Sequence, residues 1–421
     1  MSKPVVAVVQ PFSSGAMLAP LLREAGMSPV AVMDYEGPSL EPVRSSHHPE
    51  NYDAIINHHG DIERTVRNLR ALSTTAVIPA MEASLPLSQL CADAVTPDEA
   101  NVTELMDARR HKYLMHQALA AAGLPVARQI CSNDPAEVEA WIEREGLTGR
   151  DLVIKPPASA GIVNVGRAPG GRGWREQFDA INGERDKHDI LAEAVLVMEH
   201  LTGTEYAVDT VSHHGRHSLT DIIRYDRAEY GEGIAVYNAV EWMPYAPDDP
   251  VLGPLMDYAL AALDAVGLRQ WAAHTEIMMT EDGPRLLEVN PRFAGIGHPT
   301  LTKIATGESQ LTRAVDVCAG RGGELPDGFT LRQNVLAVFV KANTSGVVRN
   351  AEILDEARSL PSFHSTFHLV STGDRVEASN DIHSSMMMGY FTLAHERSEQ
   401  LYEDRDVIRK LEQQLIIDPE G

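Results

Sequence analysis

Short β-branched runs alternate with helix-period segments over the first hundred residues. Val5–Val9 is followed by a helical pattern over 16–25, then by strand-like runs at 29–33, Ala54–Asn57 and 76–79. That alternation predicts a parallel sheet flanked by helices. From Asn101 the pattern changes. Residues 103–122 read as one long helix containing Lys112, stopped by Gly123 and Pro125. A helix over Pro135–Arg144 and a strand over Leu152–Lys155 precede a small-residue loop at 158–166. Strands are expected over Val195–Glu199 and 205–211, a helix over 255–266, and a hairpin across 274–292. The last ninety residues predict strands at 335–340 and 364–370 and a charged terminal helix over about 394–415. No internal repeat or low-complexity tract interrupts this order.

Composition narrows the class of protein. Of 421 residues, 43% are apolar and 23% charged, which excludes a disordered chain. Lys and Arg number 36 against 60 Asp and Glu, a net charge of −24. Such a surface repels phosphate backbones and anionic lipid, so neither nucleic acid nor a membrane is the expected partner. No apolar run approaches the roughly 18 residues of a membrane span, and the strand at Val5 leaves no room for a signal peptide. Cys91, Cys131 and Cys318 are few, odd in number and far apart, as in reduced cytoplasmic proteins. No CxxC or Cys/His spacing suggests zinc. Cys131 and Cys318 are expected as buried small apolar residues.

The richest stretch runs from His274 to Arg292. Glu276 and Glu288 lie six residues either side of Asp282, inside an Glu-Asp-Gly-Pro turn, so a regular hairpin sets them opposite each other. By strand alternation Glu288, Asn290 and Arg292 share one face, with Leu287 and Val289 toward the core. Converging carboxylates repel unless a cation lies between them, and hard oxygen ligands suit Mg²⁺ held through a nucleotide's phosphates. Arg292 beside them could grip an anionic intermediate. The alternative is a solvated, charged hairpin face. Lys155 ends an apolar strand before Pro-Pro and a glycine/serine loop whose N–H groups could cap phosphates, and Lys112 lies 43 residues earlier. The loop is no GxxxxGK[ST] motif, and Pro11-Phe-Ser-Ser-Gly15 is no GxGxxG, so P-loop and dinucleotide-binding readings are declined. At 196–205 an apolar strand enters a short linker and reaches Glu205, an arrangement that could offer adenine a backbone donor and acceptor and the ribose a carboxylate. Taken singly, a strand, a turn at Gly203 and a second strand explain that segment as well.

In this order, these residues resemble the ATP-grasp superfamily of carboxylate–amine ligases, over roughly 100–320. The resemblance implies an α/β fold, α+β in parts. Residues 1–100 would be a Rossmann-like leading domain and 101–195 a first ATP-grasp subdomain with the phosphate lysines and glycine-rich loop. Residues 196–320 would be a second subdomain with the adenine and Mg sites, and 321–421 a C-terminal α+β lobe. Within the superfamily, His274-Thr-Glu276, Arg292-Phe-Ala-Gly295, Leu360-Pro-Ser-Phe-His364 and Gly373-Asp-Arg375 are most similar to the L-amino-acid ligases.

The likeness implies ATP and two Mg²⁺ ions, for which Mn²⁺ can substitute. Lys112, Lys155 and the loop residues Ser159, Ala160 and Gly161 would bind phosphates. Glu199, His200 and Leu201 would frame adenine, and Glu205 the ribose. Glu276, Glu288 and Asn290 would be the metal ligands. Arg292, with Ser159, would be catalytic, and Glu82, His274, Arg292, Gly295 and Ile296 would meet the amino-acid substrates. Ile296 stands where a relative type carries a bulky Trp, which implies a differently shaped acceptor pocket. His274 is a candidate base, against the plainer reading of a satisfied strand-end histidine; Arg224 and Arg227 are further candidates for phosphate contact. The expected reaction joins two amino acids through an acyl phosphate, in a cytoplasmic homodimer, in general dipeptide synthesis or in a peptide-antibiotic pathway. Two alternatives stay open: a biotin-carboxylase-like enzyme using bicarbonate, and a non-catalytic ATP-binding regulatory module.

Overall fold

A computed structural model describes residues 3–35, 41–158, 165–185, 191–228, 236–380 and 382–419. The expected α/β leading domain is present. Strands Val5–Val9, Ser28–Met33, Ala54–Asn57 and Thr74–Pro79 form a wholly parallel sheet in the order third, second, first, fourth. Both faces are covered: Val6 and Val8 pack under one set of elements, Ala7 and Val9 under the other, so the strands read as continuous apolar runs. Helices Leu18–Glu24 and Ile62–Ala71 make two of the crossovers, and helix Leu85–Val95 follows the last strand and packs on the sheet.

A second, antiparallel sheet has the order Gln129–Ser132, Val195–Glu199, Leu152–Lys155, Gly166–Ala168. Helices Pro135–Arg144 and Trp174–Ile181 close over its apolar face through Trp141 and Phe178. Strand Val195–Glu199 is thus paired wholly inside this sheet, so the division expected at 195/196 would cut through it.

The third sheet has eight strands: Gly283–Asn290, Trp271–Thr280, Thr204–His213, Arg216–Ala228, Val236–Met243, Asn334–Phe339, Tyr390–His395 and Phe363–Phe367. Its last three strands come from the stretch expected as the C-terminal lobe. The sheet therefore runs unbroken across 320/321, and the terminal segment completes it. Helix Leu252–Ala265 packs behind the hairpin, burying Leu255, Ala259 and Leu263. No helix among the described residues is long and apolar enough to cross a membrane.

Three local expectations are corrected. Residues 103–122 are two short 3₁₀ turns, Thr103–Leu105 and Asp107–Arg109, and then a helix beginning at Lys112. His111 caps that helix, its Nδ1 accepting the Leu114 N–H at 3.4 Å, so Lys112 occupies the first turn and not the middle. The terminal segment is strand Tyr390–His395 followed by helix Ser398–Glu412, because the run Tyr-Phe-Thr-Leu-Ala-His fits between two β-neighbours. The strand expected over 364–370 ends at Phe367, and His368 has a left-handed φ of 43°. All three thiols are free; Cys91 is buried, Cys131 and Cys318 are half-buried, and Cys318 packs against the core beneath the leading sheet.

Candidate functional site

The hairpin supplies the floor of a cavity of about 580 Å³ between the second and third sheets. Glu276 pairs directly with Glu288, as the spacing predicts, and His274 with Asn290. Between Glu276 and Ile277 the register slips by one residue. The bulge turns Leu287 toward the cavity beside Glu288 and buries Leu286 in its place, so the expectation that Leu287 enters the core is corrected. Val289 is in the core as expected.

Lys112 reaches the floor from the start of its helix. Its ammonium lies 2.7 Å from Glu288 Oε2, with both side chains largely withdrawn from water. The Lys112 N–H donates to Pro157 O at 2.7 Å, tying the helix start to the segment that follows Lys155. Asn290 Nδ2 donates to Glu288 Oε1 at 2.9 Å. Burial alone would raise the Glu288 carboxyl, but the Lys112 charge and hydrogen bond, then Lys155, hold it down to about 2. Burial opposes the charge on Lys112 too, and the Glu288 and Glu82 carboxylates overcome it, raising the ammonium. Among the described residues Lys155 has no such close partner. Burial, then the Lys112 charge, lower it to about 8, with Glu288, Glu276 and Glu205 offsetting part of the effect.

His274 is held from both sides. Nδ1 meets Asp209 Oδ1 at 2.6 Å and Nε2 meets Glu276 Oε1 at 3.3 Å, with Tyr225 Oη 3.4 Å away. Burial would lower the ring, but Asp209 and then Glu276 raise it to about 10. Such an imidazolium carries both protons at neutral pH and has no lone pair for a base. Its geometry orients Glu276 instead. Behind it, burial and Asp209 hold the Asp221 carboxyl well above the usual range, and Thr302 Oγ1 donates to it at 2.6 Å.

Glu199, His200 and Leu201 line the opposite wall. The N–H groups of Glu199 and His200 donate to Arg128 O and Asp151 O, each at 3.0 Å. The Glu199 carboxylate is committed to the Arg128 guanidinium at 2.8 and 2.6 Å. Glu205 is buried and paired with Arg227, whose guanidinium lies over the Tyr225 and Tyr237 rings. Burial raises the Glu205 carboxyl to about 7 although Arg227 opposes it, and one carboxylate oxygen has no partner among the described residues. Arg292, Gly295 and Ile296 also line the cavity, and Ile296 has a φ of 55°, unusual for a β-branched residue. Tyr390 Oη donates to Ile296 O at 2.9 Å, and so helps to hold that backbone.

Glu82, on a 3₁₀ turn just after the last strand of the parallel sheet, comes within electrostatic reach of Lys112, Glu288 and Arg292. Burial is the largest influence on its carboxyl and raises it. Of the sequence-derived residues, Asn290 lies under Glu288 and does not line the cavity, and Arg224 turns to Glu241 in a neighbouring cavity. Ser159, Ala160 and Gly161 lie outside the described residues. Asp209, Tyr225, His298 and Met386 escaped the sequence reading. Asp209 carried a signal: Glu205 and Asp209 are four apart on one strand and share a face. Met386 carried none, because it reaches the cavity from the distant C-terminal segment.

The donor set fits the expected ligands. The opposed Glu276 and Glu288 carboxylates are hard donors of the kind Mg²⁺ takes, and two buried lysines, Lys112 on Glu288 and Lys155, line the same cavity where polyphosphate oxygens could meet them.

Residues 148–300 match the ATP-grasp domain family. The chain is 27% identical over 312 residues to dapdiamide A synthase of Enterobacter agglomerans, covering 74% of this chain and 72% of that protein. It is 31% identical over 153 residues to carnosine synthase 1 of Gallus gallus, covering 36% of this chain but 16% of the relative. In fold it is similar over the whole of both chains to the L-amino acid ligase from Bacillus licheniformis, with a TM-score of 0.73 at 16% identity. The N5-carboxyaminoimidazole synthetase from Staphylococcus aureus has a TM-score of 0.66 at 14% identity, over 97% of this chain and 98% of that one.

Proposed function

Starting from a chain that carries an ATP-grasp domain and is an ATP-dependent carboxylate–amine ligase most like the amino-acid ligases, we propose that it joins the carboxylate of one amino acid to the amine of another. The reaction passes through an acyl phosphate and releases ADP and phosphate. One observation carries this reading: Lys112, Lys155, Glu276, Glu288 and Arg292 converge on one cavity, with Glu82 of the leading domain beside them.

In this reading Lys112 and Lys155 hold phosphate oxygens. The Leu201 backbone and its neighbours hold adenine, and Glu205 the ribose. Glu276, Glu288 and, once its amide turns from Glu288, Asn290 would hold two Mg²⁺ ions, which would neutralise charge on the transferring phosphate. His274 holds Glu276 in place. The donor carboxylate attacks the γ-phosphorus, and the breaking P–O bond leaves its electron pair on ADP. The free amine of the acceptor then attacks the acyl carbon, Arg292 stabilises the oxyanion, and the C–O electron pair departs with phosphate. Glu82 pairs with the ammonium of the first amino acid. Gly295 and Ile296 shape the acceptor side. A cytoplasmic homodimer belongs to the same reading, and light scattering of the purified chain tests the dimer.

The deciding experiment measures phosphate release from Mg²⁺ and ATP across a matrix of paired amino acids, with products weighed by mass spectrometry. Release should need two amino acids and give their summed mass less one water. Glu288→Gln should lower it by about 10³-fold. ADP formation that needs bicarbonate, or ATP bound without turnover on any pair, would refute the reading.

A further inference from the structure

A second constellation lies where the leading domain meets the third sheet. His213 ends strand Thr204–His213 and pairs with Arg216, so His214 and Gly215 form the two-residue turn of a hairpin. Both turn residues are left-handed, with φ of 51° and 81°. Asn commonly fills the first of these positions, and a histidine there is a costlier choice. Glu99 closes the 3₁₀ turn Pro97–Glu99 on the way out of the leading domain. Its carboxylate faces both rings, Oε2 at 3.7 Å from His213 Nδ1 and Oε1 at 3.4 Å from His214 Nε2.

These contacts are poor as hydrogen bonds. His213 Nδ1 and Glu99 Oε2 are buried and have no hydrogen-bond partner among the described residues. The spacing suits a shared cation better. Three ligands at about 2.1 Å from a tetrahedral ion stand roughly 3.4 Å from one another, and here one donor atom from each residue lies within 4.8 Å of the other two.

The surroundings are already organised for this. Asn101 Oδ1 accepts the N–H of Arg269 at 2.7 Å and of Gln270 at 2.8 Å, and the Gly215 N–H donates to Arg269 O at 3.0 Å. The turn, the linker and the 269–270 segment are therefore pinned together. The Gln270 amide lies 3.2 Å from His214 Nδ1 through Nε2, while its Oε1 is buried without a hydrogen-bond partner among the described residues. Turning the amide over lets His214 Nδ1–H donate to Oε1, which frees the Nε2 lone pair to bind a metal. The His213 ring lies so close to Gly322 that a Cβ there would approach it to 2.4 Å, so the ring's seat requires that glycine. Cys318, a soft donor, is near enough for the Glu99 charge to act on its thiol.

We propose that Glu99, His213 and His214 bind one divalent transition-metal ion, Zn²⁺ foremost, with water in the fourth position, and that this ion clamps the leading domain to the central sheet. Two imidazoles and one carboxylate favour Zn²⁺ over Mg²⁺. The site is separate from the nucleotide cavity, and its existence does not depend on the ligase reading.

The test is calorimetric titration of ZnCl₂ into the chelator-stripped full chain with excess MgCl₂ present, together with thermal melts. The expected result is one tight equivalent of Zn²⁺ per chain and a Tm raised by a few degrees. His214→Asn keeps a residue suited to the left-handed turn, and Glu99→Gln keeps the shape. Each should remove that equivalent while leaving the chelated protein's melt near that of the parent. Gln270→Ala should weaken binding by about 10–100-fold. Co²⁺ in place of Zn²⁺ should show the strong visible absorption of tetrahedral coordination. Zn²⁺ binding that survives in both ligand variants would overturn the proposal. So would a chain that takes up no Zn²⁺, or variants destabilised equally with and without metal, which would mark a plain carboxylate–histidine contact.

Discussion

The Lys112–Glu288 pair offers the sharpest quantitative test of the site. Glu288 is held at about 2, against an ordinary 4.5. At ~1.4 kcal/mol per pH unit that displacement is worth about 3 kcal/mol of folded-state stability. The sign follows from the direction. A depressed carboxyl stabilises the fold fully above its unfolded value near 4.5, and the contribution fades as pH falls toward 2. The raised Lys112 is the same interaction seen from the other end and is not added. Lys112→Met should then cost about 3–5 kcal/mol at pH 7, because it leaves a buried carboxylate without its cation. Glu288→Gln alone should also be costly, since it strands the buried ammonium. The double variant should cost clearly less than the sum. Urea denaturation of all four chains without nucleotide, followed by tryptophan fluorescence, gives the coupling energy. We expect about 3 kcal/mol at pH 7, unchanged at pH 5.5. A coupling below about 0.5 kcal/mol would show that solvent, and not Lys112, compensates Glu288.

Three further outcomes are expected. His274 is raised to about 10 by Asp209 and Glu276, so its contribution to stability is complete below about pH 6.5 and lost as pH rises through 10; thermal melts of Asp209→Asn should be lower at pH 7 and flatter toward pH 10 than those of the parent, and parallel curves would count against the pairing. Lys155, lowered to about 8 in the free chain, should bind ATP up to tenfold more weakly for each pH unit above 8, whereas Lys155→Arg should hold its affinity; isothermal titration at pH 7, 8 and 9 decides this, and identical pH profiles would refute it. Leu286→Ala should cost about 2–5 kcal/mol as a core truncation, while Leu287→Ala should leave stability nearly unchanged and raise KM for ATP; the reverse pattern in denaturation and kinetics would mean the bulge is misplaced.

Local pattern was enough for much of this molecule. The parallel leading sheet follows from apolar runs buried on both faces. The pairing of Glu276 with Glu288 follows from turn position and the two-residue period. Lys155, Glu205 and Arg292 stand out at strand ends and turns, Lys112 and Glu199 gain their roles from the resemblance, and all five line the cavity. Such features depend on neighbours within about ten positions, where backbone geometry leaves few choices. Other features needed the chain to fold back on itself. Nothing local told that His111 would restart a helix at Lys112, or that one extra residue at the bulge would send Leu287 into the cavity and Leu286 into the core. The merging of strands beyond 334 with the central sheet depends on edges meeting across the sequence. The state of His274 was equally hidden, because a ring's charge is decided by what burial brings beside it, here Asp209 from another strand. The Glu99, His213 and His214 cluster has no spacing a sequence pattern could report. Glu99 lies more than a hundred residues before the adjacent His213 and His214, and only the packing of a turn against a linker places their donor atoms together.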